Sequence, residues 1–221
     1  MLDVFSKLGG LSKSAKRRER SKKNELNKQE QFEKPGGTEV KTENIIAWVA
    51  SLHLHPLNKG GPIKGGPMTN EKTITLVENQ GIVGDHRHFG RLTSKDDPSP
   101  RQVSIIDRSQ LRDHAMMASD PDCLGPGRVR SNIETITNFE KNGSINEKDE
   151  ILTYIEYIGR QLQIGKTAIV EVTLARKPCW QMDIISQGLK RLMSGDRQGI
   201  LCKVITSGDV QIGDPIVLLP E

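Results

Sequence analysis

Leu162-Gln163-Ile164-Gly165-Lys166-Thr167-Ala168-Ile169-Val170-Glu171-Val172-Thr173-Leu174 is the stretch whose reading decides the fold. After Gly165, Ala168, Val170, Val172 and Leu174 recur at every second position, the period of a β-strand with one buried face. Working outward, further strands are expected at Ile45–Leu54, Thr73–Val77, Arg101–Asp107, Ser131–Thr137, Ile200–Ile205 and Pro215–Leu219. Asn79–Gly84 reads as a turn-rich connector and Ser207-Gly208-Asp209 as a turn. Helices are expected over Arg108–Ala118 and Ile184–Met193, the latter from the spacing of Ile184, Ile185, Leu189, Leu192 and Met193. Pro56–Pro67 and Asp120–Arg128 read as loops, and Phe139–Glu150 as a polar, exposed insertion. Many short strands with a few helices give a β-rich α+β domain, and a closed or partly closed barrel would hide the strand edges. No βαβ alternation, GxGxxG or phosphate-binding loop is present, which argues against a nucleotide fold.

The charge is unevenly spread. The 221 residues carry 32 Lys+Arg and 28 Asp+Glu, a formal net of +4. Residues 1–44 hold 11 of the cations and 7 of the acids, so the body after them is balanced and has no general pull on nucleic acid. The expected division is a basic, solvated extension over 1–43 and a folded body over 44–221. Leu2, Phe5, Leu8 and Leu11 stand at helical spacing in the extension, so a surface-binding helix or a targeting tract stays open there. No apolar run is long enough for a membrane helix. Cys123, Cys179 and Cys202 show neither pairing symmetry nor metal-type spacing, which fits a reducing, cytoplasmic setting.

Two clusters could carry chemistry. Gly84-Asp85-His86-Arg87-His88-Phe89-Gly90 packs ionisable groups between glycines, with the Arg87 fork suited to phosphate or carboxylate. The competing explanation is a loop pinned by an Asp85–Arg87 or Asp85–His88 hydrogen bond. The second is Ala175-Arg176-Lys177-Pro178-Cys179-Trp180, at the end of the strongest strand. Cations beside a thiol favour its thiolate, which is both nucleophile and soft metal ligand. Its competing reading is an inert thiol. Cys202 reads as a core strand thiol. A rival arrangement is His53-x-His55 with His86-x-His88, since residues i and i+2 of a strand share a face and could chelate a metal.

Gly81-Ile82-Val83-Gly84-Asp85-His86-Arg87-His88-Phe89-Gly90 resembles the G-x-x-G-D-x-x-H-x-G segment of MOSC domains, which take their name from the C-terminal domain of molybdenum cofactor sulfurases. Arg101-Gln102-Val103-Ser104-Ile105 is similar to that family's RQVSL strand. Arg130-Ser131-Asn132-Ile133-Glu134-Thr135 is similar to its R-E-N-I-x-T segment, with Ser131 standing where many relatives have Glu. Arg176-x-Pro178-Cys179, Arg197-x-Gly199-Ile200 and Gly208-x-x-x-x-Gly213-Asp214 follow in order. The resemblance spans about residues 44–220 and implies a MOSC-type β-barrel that binds molybdenum cofactor, a pterin phosphate whose dithiolene holds the metal. It implies Cys179 as metal ligand or sulfur carrier, and Asp85, Arg87, His88, Arg101, Arg130, Asn132 and Arg176 as cofactor-binding candidates.

The implied activity is reduction of N-hydroxylated small molecules such as hydroxylaminopurines or amidoximes. Electrons would come from a separate donor protein, since no ferredoxin-like cysteine set is present. The alternatives are a sulfur-carrier or cofactor-delivery module using a Cys179 persulfide, and a non-catalytic interaction module. Whole sulfurases also carry a separate pyridoxal-phosphate domain, for which the body leaves no room.

Overall fold

The computed structural model describes residues 44–57, 68–110, 124–137 and 154–221. The basic extension, most of the 56–67 loop, the greater part of the helix expected at 108–118, the start of the 120–128 loop and the 139–150 insertion lie outside the described residues.

Eleven strands are described: β1 (Ile45–Leu54), β2 (Thr69–Glu71), β3 (Thr73–Val77), β4 (Gly81–Ile82), β5 (Val103–Asp107), β6 (Ile133–Ile136), β7 (Gln161–Ile164), β8 (Ala168–Ala175), β9 (Ile200–Thr206), β10 (Gly208–Gln211) and β11 (Pro215–Leu218). Seven of them close a barrel in the order β11-β7-β8-β9-β5-β6-β1, with β1 pairing back onto β11. The strand β2 extends β1 outside the ring, and β10-β3-β4 form a small second sheet. The pairings are antiparallel apart from β5 with β6. Closure pairs every central edge, so the short strands need no other protection.

The two-residue period of β8 holds over Ala168–Thr173, where Ala168, Val170 and Val172 are buried while Ile169, Glu171 and Thr173 are only partly so. Leu174, expected on the buried face, is exposed beyond a register irregularity after Val172. Its partner β9 alternates in the same way, with Ile200, Cys202 and Val204 inward. These side chains meet Ala47, Val49 and Leu52 of β1 and Val103 and Ile105 of β5 inside the barrel. Burial also raises the Cys202 thiol well above its ordinary range.

Like its neighbour β6, and unlike the alternating β9, strand β5 is buried on both faces. Its outer side meets a second apolar cluster, in which Ile106 packs with Leu124, Val129, Met182, Leu189 and Met193. Leu189 and Met193 come from the segment expected as one helix over Ile184–Met193, and Met182 stands just before it. Two short helices stand there instead, α1 (Gln181–Ile185) and α2 (Leu189–Leu192). Ser186 is extended (φ −152°, ψ 134°) and Gly188 takes the left-handed conformation (φ 84°), so the chain turns between them. Met182, Leu189 and Met193 face the same cluster across this break.

Two other expectations change. Asn79–Gly84 contains the short strand β4, and Gly208 and Asp209 of the expected Ser207-Gly208-Asp209 turn are the first two residues of β10. Strand β10 forms by pairing with the distant β3, reinforced by the Thr75 hydroxyl donating to Asp209 (2.7 Å).

Candidate functional site

The site is built on one buried carboxylate. Asp85 follows β4 and is 1% exposed. Its Oδ1 accepts the backbone N–H groups of Arg87 (3.0 Å) and His88 (2.9 Å), which folds the 84–90 loop around it. Its Oδ2 accepts from the His55 backbone N–H (3.1 Å), the His55 ring Nδ1 (2.8 Å) and the Asn132 amide (2.8 Å). Burial alone would raise this carboxyl, but the hydrogen bonds and charge of His55 and the Asn132 amide overcome it and hold the group well below the usual carboxylate range. Asn132 extends the tie: its amide also donates to the His53 carbonyl (3.2 Å), and its Oδ1 accepts from the Ser104 backbone N–H (3.1 Å) and hydroxyl (2.8 Å). Loop 84–90, the end of β1, β5 and the entry to β6 are thereby locked together. Ser131, the departure from the family pattern, is fully buried and donates its hydroxyl to the Ser104 carbonyl (3.1 Å).

Beside this network lies a cavity of about 410 Å³. Arg87, His88, Arg101, Arg130, Arg176 and Cys179 all line it, so six of the eight candidate residues converge from four separate stretches of chain. Asp85 and Asn132 are not among its lining residues; they stand behind it and set the loop and strands that form it. The wall also contains His55, Ser104, Lys177, Gln181, Met182 and Gln198, which the motifs do not single out as site residues. Lys177 and Gln181 could have been found by adjacency to Cys179. His55, Ser104 and Gln198 could not, because barrel closure brings them there.

Among the described residues, Arg87, Arg101, Arg130, Arg176 and Lys177 give the cavity five cations and no carboxylate. Arg176 leaves the end of β8, and its Nη2 donates to the carbonyls of Val129 (3.1 Å) and Arg130 (2.9 Å). Its Nη1 is buried with no hydrogen-bond partner among the described residues. Burial, helped by Arg87 and Arg130 and opposed by Cys179, lowers its pKa to about 10, so it stays protonated at neutral pH. Arg130 is lowered for the same first reason, burial, and then by Arg87, and it holds an unusual positive φ of 62°. Crowded cations of this kind repel one another until an anion arrives. Cys179 is exposed, with Sγ 3.7 Å from the Gln181 amide oxygen. Arg176→Met is accordingly expected to weaken binding of pyrophosphate about tenfold, from the loss of one charge-assisted fork. Calorimetric titration reads this, and an unchanged affinity would count against Arg176 as an anion ligand.

The rival histidine arrangement is not assembled. His53 Nε2 goes to the Ser51 hydroxyl (2.9 Å) and lies 3.7 Å from Glu134, while His55 is held by Asp85. Glu134 is itself occupied by Gly127 N–H (2.9 Å), Ser51 (3.0 Å) and Arg108 (3.2 Å). Among the described residues, no group of three His, Cys, Asp or Glu is placed to hold a metal ion.

A sequence model of the MOSC domain matches residues 84–217. The chain belongs to the MOSC domain family. Solved structures of the same fold include YiiM from Escherichia coli, 16% identical, covering 80% of this chain and 70% of that one at a TM-score of 0.52. The YUAD protein from Bacillus subtilis is 16% identical, covers 79% of this chain and 97% of its own, and superposes at 0.54. A protein described only as hypothetical is 18% identical, with 82% and 70% coverage and a TM-score of 0.55. No curated protein sequence matches. At these identities the structural neighbours speak for the MOSC fold, which the barrel, its order and its few helices share. MOSC domains are associated with molybdenum cofactor binding in general. No helix among the described residues is long and apolar enough to cross a membrane.

Proposed function

We propose that this MOSC domain binds a molybdenum-bearing pterin phosphate in the 410 Å³ cavity and reduces N-hydroxylated small molecules. The observation that carries the proposal is the donor set: four arginines and a lysine around one cavity, a buried Arg176 Nη1 with no hydrogen-bond partner among the described residues, and an exposed thiol on the same wall. Those groups fit the cofactor's two chemical demands. Arginine forks and the Lys177 ammonium match phosphate oxygens, and the Cys179 sulfur is a soft ligand suited to molybdenum. When bound, the cofactor supplies a metal centre that passes two electrons to an N–O bond.

The chain's own residues do the rest. Arg87, Arg101, Arg130 and Arg176 bind and orient the phosphate, and Lys177 adds charge beside the thiol. Asp85 and Asn132 hold the Arg87 loop and the strand before β6 in register from behind. Electrons are supplied by a separate donor protein. A second reading, a carrier that holds sulfur as a Cys179 persulfide, is favoured by the exposure of that thiol.

Protein made in cells that synthesise the cofactor tests both. About one molybdenum per chain is expected in the wild type, with at least a tenfold lower content in Cys179→Ala, together with reduction of hydroxylaminopurine by a chemically reduced viologen. Cyanide-labile sulfur on Cys179 without molybdenum would instead establish the carrier. Equal molybdenum in both proteins would remove the thiol from either role.

A further inference from the structure

Two rings on the cavity wall have no part in the scheme above. His55 follows β1 and His88 lies in the 84–90 loop, with ring centroids 5.3 Å apart and planes at 73°. His55 is tethered. Its Nδ1 lies 2.8 Å from Asp85 Oδ2, so an ionised Asp85 makes Nδ1 the donor and leaves Nε2 as the acceptor. His88 is held through its backbone, the N–H donating to Asp85 and the carbonyl accepting from Arg91; its Nδ1 is buried and has no hydrogen-bond partner among the described residues. A buried, unanswered ring nitrogen beside a cavity lined by cations is an uncommon arrangement and calls for a reason.

The charges around the pair supply one. Burial pushes the His88 ring down to about 3, with His55, Arg87 and Arg91 acting in the same direction and Asp85 against them. Burial also lowers His55, where Arg130 and Arg87 add to the effect and the Asp85 hydrogen bond and charge oppose it. Both rings are therefore neutral at neutral pH. Among the described residues, the leading charges acting on them are Asp85, the arginines Arg87, Arg91 and Arg130, and, for His88, the neighbouring His55 ring. Burial is the first reason the rings are uncharged and the arginine charges add to it; an anion seated among those arginines offsets their contribution and gives an imidazolium a counter-charge.

We propose that His88 is the proton-accepting residue of this cavity: when an anion binds among Arg87, Arg101, Arg130 and Arg176, one proton from solvent moves onto the His88 ring. The proposal rests on the anion-binding reading of the cavity. The proton balance is simple: neutral imidazole plus one solvent proton gives imidazolium, with no bond broken elsewhere. It places a proton in the same cavity as Cys179, where reducing N–OH to N–H and water consumes two electrons and two protons. By linkage, anion affinity rises as pH falls, by up to about tenfold per pH unit where the coupling is complete.

Sulfate tests this in the full chain, because it keeps its double charge across the range that matters. Calorimetric titration stepped from about pH 7 to about pH 4.5, in buffers of different ionisation heat, is expected to show proton uptake per sulfate that grows as pH falls. His88→Gln is expected to bind sulfate more weakly, with little uptake and little pH dependence. Nitrogen-15 spectra of the imidazoles then locate the proton: the His88 ring is expected to move from a neutral to an imidazolium pattern on adding sulfate. Sulfate binding without uptake, uptake that persists in His88→Gln, or an imidazolium signal at His55 or His86 instead, would overturn the assignment while leaving the anion site standing. No sulfate binding at all would remove the anion site and this proposal together.

Discussion

Asp85→Ala is expected to cost about 3–5 kcal/mol of folding stability, because it removes a buried charge and leaves its partners unanswered. Five hydrogen bonds end on this carboxylate, from His55 twice, Arg87, His88 and Asn132. Alanine leaves the His55 ring N–H and one Asn132 amide proton facing an apolar gap, and frees the loop that carries Arg87 and His88. Denaturant unfolding reads the loss; a change below about 1 kcal/mol would mean that solvent reaches these donors and that Asp85 is not the hub described. The pH dependence has a definite sign. The folded carboxyl is depressed below its unfolded value, so its contribution is fully present above the ordinary carboxylate range and is lost as pH falls towards the folded value. Acid unfolding of the wild type should therefore begin below about pH 4, and Asp85→Asn should flatten that limb.

Gly199→Ala is expected to be of similar size, about 3 kcal/mol or more, for a different reason. Gly199 precedes β9 with φ +77°, and a Cβ there would overlap the Ile105 carbonyl oxygen and lie 2.9 Å from Ile106 Cα. Both neighbours are backbone of β5, so relief means parting β5 from β9 in the middle of the barrel. The left-handed conformation alone costs a non-glycine residue about 1–2 kcal/mol, and the collision adds to it. Gly195→Ala isolates the first part, since Gly195 has φ +73° and nothing near its Cβ position. A thermal-melt comparison checks the pair: equal shifts would show that the β5 backbone yields freely. The damage should also reach the site, because the Gly199 carbonyl accepts the Arg176 backbone N–H (2.9 Å).

How much of this was readable from residues alone depends on how far apart the causes lie. Strand β8 announces itself because its alternation is local, and Cys179 at its end stands next to the cations that suggest a use for it. The Gly208–Gln211 strand hides behind a turn-like Gly-Asp pair because its partner, β3, is more than a hundred residues away. The Ile184–Met193 segment carries helical apolar spacing, yet the extended Ser186 and the left-handed Gly188 interrupt it, which apolar spacing alone does not announce. In the site, motif positions identify the cations, but not that Asp85 and Asn132 work from behind them. Nor do they show that His55, read as a possible chelator with His53, is turned towards Asp85. Those facts depend on barrel closure, which no short window of sequence contains.

That closure also fixes the order in which the molecule can be made. Ile45 pairs with Val217, and the ring is open until that contact forms. A chain emerging from the ribosome must therefore keep β1 waiting, one edge unpaired, until β11 has been synthesised. A topology dominated by such distant pairings folds in milliseconds to seconds rather than microseconds. The exposed early strand is thus the point at which a nascent chain is most open to wrong partners, and at which a chaperone would have most to protect.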